Sequence, residues 1–207
     1  MVDMATDADG IADFLQCLSG LEEKNSQLFR TLSKKIVLST VKPQLTKIAE
    51  DNEKHSKILQ DISERIGNPK VKTKECKKKL SVVCKNTEMI LEKVNKKTKV
   101  TLKDISDFLQ ILESSGGATQ YLLVQAETFL FMSKQISDLY GMDSKRFNDL
   151  LNEMVQDIEE NISLLEDVKY LVEQEQVKDK KEHPTFKYQS PDAWLTPSHS
   201  QKTGHVL

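Results

Sequence analysis

Over its first 183 residues the chain meets proline at two positions, Pro43 and Pro69. Proline removes a backbone donor and clashes with the preceding turn, so these two residues are the natural stops for helix. Glycine is equally sparse, with seven in the whole chain. Between the stops, apolar residues recur every three or four positions, which is the period of an amphipathic helix. Ile11, Leu15, Leu18, Phe29, Leu32 and Ile36 predict a first helix over about 9–38, started by Asp7 or Asp9 as cap. The stripe has one gap, where Glu22 and Asn25 stand. Pro43 suits the first turn of a second helix over about 43–66, with Leu45, Ile48, Leu59, Ile62 and Ile66 on one face. Gly67-Asn68-Pro69 ends it. A third helix is predicted over about 118–140, ending at Gly141. A fourth, capped by Asp143, is predicted over about 143–174, with Leu151, Met154, Ile158, Leu165, Val168 and Val172 in a heptad-like stripe.

Residues 70–99 differ in charge. They hold eleven lysines against three glutamates, a net +8, which leaves −10 for the rest of a chain whose total is −2. Helical spacing persists at Leu80, Val83, Cys84, Thr87, Ile90, Leu91 and Val94 and predicts a basic amphipathic helix over about 74–95. A shorter helix follows over about 102–113, with Thr101 and Asp104 in the arrangement of a capping box. The lysine-rich stretch contains no arginine and no aromatic residue. Bidentate phosphate contacts and base stacking are therefore unsupported, and it reads as a solvated helix face. With a pI near 6.1 the chain carries no bulk basic field, so nucleic acid is not an expected partner.

No apolar run exceeds four residues, against the ~18 that a membrane span needs, so a membrane is not expected either. The acidic N-terminus lacks the apolar core of a secretion signal. Cys17, Cys76 and Cys84 are odd in number and lack CxxC spacing. That pattern suits a reducing, cytoplasmic setting and argues against a disulfide scaffold. Cys76 and Cys84, eight positions apart, lie about 12 Å apart along a helix, too far to bond to each other. One helical domain over 1–177 is expected, followed by a flexible tail over 178–207 that holds three of the five prolines and three of the four histidines. Phe186, Tyr188, Trp194 and Leu195 lie unusually close together for such a tail. They read either as a docking peptide for the bundle or another protein, or as an idle terminus.

The chain also repeats itself. Residues 49–62 align with 155–168 at an offset of 106, with Asp51/Asp157, Glu53/Glu159, Leu59/Leu165 and Asp61/Asp167 identical. A helix with an acid on an apolar background precedes each copy, at Leu21-Glu22 and at Ala126-Glu127. Two helix hairpins joined by a long connection each leave an apolar face exposed, so they are expected to pair as an antiparallel four-helix bundle.

This layout resembles the ferritin-like superfamily, and its rubrerythrin-type members most closely. The segment Ala49-Glu50-Asp51-Asn52-Glu53-Lys54-His55-Ser56-Lys57-Ile58-Leu59 is similar to their second-helix metal segment. Leu21-Glu22-Glu23, with Phe29 where tyrosine is common, is similar to their first helix. The resemblance covers about residues 9–66 and 118–174; the two crossover helices are not part of the usual pattern. It implies an all-α ferritin-like bundle with a dinuclear centre built from one glutamate on each of helices one and three and a Glu-x-x-His on each of two and four. Carried over by position, Glu22, His55 and Glu127 match ligands, while Asn52, Ile158 and Asn161 replace them.

Two functions are therefore expected as alternatives. One is a bundle that has lost the complete site and serves as a binding or structural module, with no catalytic residue and no cofactor. Its buried polar groups would then form a Glu22–His55–Asn161–Asn52 hydrogen-bonded cluster. The other is a metalloprotein with a reduced, mononuclear or subunit-shared site for iron or another divalent metal at Glu22, His55 and Glu127. As an enzyme it would be a rubrerythrin-like metal-dependent oxidoreductase, in iron handling or peroxide defence. A homodimer and a protein partner reached through the tail are the associations the sequence allows. Glu50, Asp51 and Glu53 are expected on an exposed acidic face.

Overall fold

The computed structural model describes residues 4–67, 69–71, 75–76, 80–114 and 144–182. Among them are five α-helices and no β-strand. These are α1 (Met4–Lys35), α2 (Lys42–Ile66), α3 (Ser81–Asn95), α4 (Leu102–Ser114) and α5 (Ser144–Glu182). The expected helix over 118–140, and Glu127 with it, lies outside the described residues. So does the tail from residue 183.

Several boundaries differ from expectation. The first helix begins at Met4, so Asp7 and Asp9 lie within it and do not cap it, and α3 begins at Ser81 rather than near 74. The first helix ends at Lys35 rather than near 38, because Ile36 and Val37 turn their backbone to Val100. Val100 donates to Lys35 O at 2.9 Å and accepts from Val37 N at 3.1 Å. The last helix continues to Glu182, past its expected end near 174. The apolar stripe fades after Val172, but the following residues are strong helix formers, Lys178 pairs with Glu175 at 2.6 Å, and no proline intervenes before 184. Ahead of α4, Asp104 N donates to Thr101 Oγ1 at 3.3 Å and Thr101 N to Asp104 Oδ2 at 3.0 Å, the reciprocal cap expected from sequence. Lys35 Nζ donates to the carbonyls of Val94 and Asn95 at the end of α3, where a cation complements the helix dipole.

The helices bury two apolar clusters at different heights. One gathers Ala12, Leu15 and Leu18 of α1, Leu59, Ile62 and Ile66 of α2, and Leu151, Met154 and Ile158 of α5. The other gathers Leu28, Leu32 and Ile36 with Leu45 and Ile48, then Leu165, Val168 and Val172, and is closed by Ile90, Val94, Ile105 and Phe108 of the crossover. Early α1 residues thus meet late α2 residues, and late α2 residues meet early α5 residues. Hence α1 is antiparallel to α2, α2 is antiparallel to α5, and α1 and α5 share a direction. The backbones of α1 and α2, and of α2 and α5, run side by side; those of α1 and α5 do not. Small hydroxyl side chains let α1 and α2 approach closely: Ser63 Oγ donates to Ala12 O at 2.7 Å and Ser19 Oγ to Ser56 O at 2.9 Å.

The crossover packs on α1, with Lys24 ion-paired to Glu88 and Thr87 Oγ1 donating to Asn25 Oδ1 at 3.1 Å. It also corrects the reading of the cysteines. Cys17 and Cys76 form a disulfide, with Cα atoms 5.0 Å apart across 59 residues of sequence. Asp13 Oδ1, which accepts the backbone N–H groups of Lys70 at 2.9 Å and Val71 at 3.1 Å, draws the connection back along α1. An odd count of three demands one cysteine outside a disulfide, and that one is Cys84, buried as its place on the apolar stripe of α3 implies.

Candidate functional site: a buried polar layer

Between the two apolar clusters the inward positions of three helices turn polar. Glu22, Asn25 and Ser26 of α1, Asp51, Asn52 and His55 of α2, and Asn161 of α5 are all buried. They continue the stripes of their helices: Asn161 lies between Ile158 and Leu165, His55 between Ile48 and Leu59, and Glu22 between Leu18 and Leu28. The layer is a consequence of helical register, since a stripe that carries polar residues at one height must bury them there.

His55, 1% exposed, sets the electrostatics of the layer. Its Nε2 lies 3.3 Å from Asp157 Oδ2, and that oxygen also accepts from Lys54 Nζ at 2.8 Å. Burial pushes the imidazole below its usual range, and the pull of Asp157 and Asp51 in the other direction does not restore it. Burial works to raise the Asp157 carboxyl, yet the bonds from Lys54 and His55 hold it below the usual carboxylate range. A neutral imidazole facing an ionised carboxylate must donate through Nε2–H, so Nδ1 is the ring nitrogen with the lone pair.

The amides close on backbone and neighbours. Asn52 Nδ2 donates to Ile48 O in its own helix at 2.7 Å. Asp51 Oδ1 accepts from Lys47 Nζ at 2.6 Å. No donor among the described residues reaches Asp51 Oδ2 or Asn161 Oδ1, although both are buried. An unmet buried acceptor costs on the order of 1–3 kcal/mol, so this layer spends stability that an apolar one would not.

Glu22 and His55 both lie in the layer, as their positions in the sequence implied, and Ile158 lies in the apolar cluster at its edge. The expected Glu22–His55–Asn161–Asn52 cluster takes another form. His55 bonds to Asp157, and Asn52 bonds to its own helix. Asp51 is a further correction: it is 5% exposed rather than on a solvent face, while Glu50 is exposed and Glu53 joins a half-exposed network with Arg30 and Lys57. Those two cations hold Glu53 down at about 2. The repeat carried the signal for both missed acids, because Asp51 and Asp157 are the same position in its two copies, and both carboxylates act on His55. No family model, curated protein or solved structure matches this chain. Among the described residues no group of three or more histidine, cysteine or carboxylate side chains is arranged to hold a metal ion, and no helix is long and apolar enough to cross a membrane.

The state of His55 gives a pH prediction. Its folded pKa is below the ordinary 6.5, so between the two values the unfolded chain binds more protons. Stability should therefore fall as pH drops through about 6.5 and reach its plateau above it. His55→Gln should flatten the curve in that window. Urea unfolding of both chains at several values between pH 5 and 7.5 measures it, apart from the carboxylates, which act at lower pH. Identical slopes in the two chains would contradict a neutral, buried His55.

Proposed function

We propose that this chain is a ferritin-like four-helix bundle whose dinuclear centre has been replaced by an amide-lined polar layer, and that it acts as a binding or structural module. The observation that carries the reading is what stands at the ligand positions. Ile158, where the resemblance expects a glutamate, is packed among Leu59, Ile62 and Met154. Asn52, at the other glutamate position, turns its amide to Ile48 O, and Asn161 replaces a histidine. His55 gives its Nε2–H to Asp157, a residue outside the matched ligand set. The helix directions support the fold part of this reading. α1 and α2, and α2 and α5, are antiparallel neighbours, as two paired helix hairpins would require. A second copy of the chain, or another protein engaged through residues 184–195, would be the partner of such a module.

One observation favours the alternative, a reduced site for iron or another divalent metal. His55 is neutral with its lone pair on Nδ1, and it shares its layer with the fully buried Glu22. Elemental analysis decides between the two. Protein purified without chelator from cells grown with added iron, manganese and zinc should carry far less than one ion per chain. A stoichiometric ion lost on His55→Leu would replace the module reading with the metalloprotein one.

A further inference from the structure

Three large apolar side chains are exposed among the described residues: Val37 at 54%, Tyr170 at 61% and Val177 at 49%. Tyr170 and Val177 are seven positions apart, so they share one outward face of α5. Glu166, Asp167 and Glu173 lie one turn from Tyr170, and all three are exposed. Val37 stands at a corner of the opposite charge, where the end of α1 meets the ends of the crossover helices. Its N–H donates to Val100 O at 3.1 Å, and Lys35 Nζ beside it reaches Val94 O at 3.0 Å. Lys34, Lys93, Lys96, Lys97, Lys99 and Lys103 are exposed on the segments that meet there. Glu92 offsets Lys96 at 2.6 Å and Asp104 offsets Lys97 at 2.9 Å. Among the described residues no acid pairs with Lys34, Lys93, Lys99 or Lys103, and no cation with Glu166, Asp167 or Glu173. Single exposed apolar groups are ordinary on a protein surface. An aromatic within an acidic rim and an aliphatic within a basic one, on the same chain, form two patches that match each other in charge and in anatomy.

We propose that these patches bind each other between two copies of the chain: the lysine corner around Val37 of one copy docks on the acidic face around Tyr170 of the other. Tyr170 lies within one turn of Val168 and Val172, which share an apolar cluster with Ile36, Val94 and Val100 beneath the corner. Both patches are therefore at one end of the bundle, and two copies related by a two-fold axis can make the contact twice and close as a dimer. The charged rims speed encounter and set orientation, while the apolar anchors keep water from the centre. Salt should dissolve the pair, since the reach of an exposed charge falls from about 10 Å at 0.1 M ionic strength to about 3 Å at 1 M. This inference rests on the binding-module reading and names its partner surface; it uses no residue of the polar layer.

Sedimentation velocity on the full chain tests this. At about 0.1 M salt the native chain should sediment as a dimer at high micromolar concentration, and about 1 M salt should shift it to monomer. Reversing the corner with Lys34→Glu and Lys99→Glu, or the acidic face with Glu166→Lys and Asp167→Lys, should give a monomer in each case. All four positions are exposed, so the helical signal should stay native. An equimolar mixture of the two reversed chains should form a dimer again, because each patch of one now complements a patch of the other. Tyr170→Ser should weaken the native dimer about tenfold and keep its salt dependence. A native chain that stays monomeric at low salt, a dimer unchanged at high salt, or a mixture that stays monomeric would overturn the pairing. A monomer that pellets with phosphatidylserine vesicles, and loses this with Lys34→Glu and Lys99→Glu, would give the corner to a lipid surface and overturn it as well. The metal content decides the module reading separately, so the two can fail independently.

Discussion

Leu59→Ala should destabilise the protein by about 2–5 kcal/mol, the cost of removing a buried leucine and leaving a cavity that neighbours fill only in part. Leu59 has no exposed surface and lies in the cluster where α1, α2 and α5 all contribute, among Leu15, Leu18 and Met154. It also stands one turn from His55, so it closes the polar layer on that side. Urea unfolding followed by helical signal measures the change. A loss below ~0.5 kcal/mol, typical of surface substitutions, would mean that the three helices do not pack as described.

Ile158→Glu should cost about as much, ~3–5 kcal/mol, through a different cause: an uncompensated charge in an apolar environment. Ile158 is 1% exposed and its neighbours are Leu59, Ile62 and Met154. The new carboxyl would have its pKa raised by burial, the reverse of Asp157. The penalty would then be greatest at neutral pH and would shrink as acid protonates the group in the folded chain. Unfolding at pH 7.5 and pH 5 separates this from a simple packing defect, which would be independent of pH. A tolerated glutamate at neutral pH would mean that the layer already holds a cation or donors that can receive a ligand-position carboxylate, and would count against the lost-site reading.

The parts of this structure that were legible in the sequence are those with strict periodicity. The stripes of α2 and α5 foretold which residues are buried almost position by position, because in a long helix one face decides burial and nothing else competes. The Thr101–Asp104 cap was equally readable, since both partners lie within one turn. The ends of α1 and α5 were less so. Whether Ile36 stays helical depends on Val100, sixty-four positions away, and a sequence pattern does not carry that pairing. The helix beyond Val172 has no apolar stripe to mark it and persists on propensity and local charge. The disulfide was missed for a related reason: spacing rules concern cysteines that are near in sequence, while Cys17 and Cys76 meet because the connection after Gly67 folds back along α1. In the polar layer, the inward residues of α1, α2 and α5 followed from register, but their partners did not. His55 bonds to Asp157, one turn before Asn161, which stands at the inward position of α5.

Thermal unfolding with and without metal tests the central claim most directly, because any ion that binds the folded chain alone must raise its stability. The native chain should be scanned after exhaustive chelation and again with iron, manganese or zinc in excess, with His55→Leu beside it. The lost-site account predicts superimposable curves for the native chain under all conditions. A rise of several degrees with one metal, reversed by chelator and absent in His55→Leu, would contradict it and restore a metal centre to the layer of Glu22 and His55.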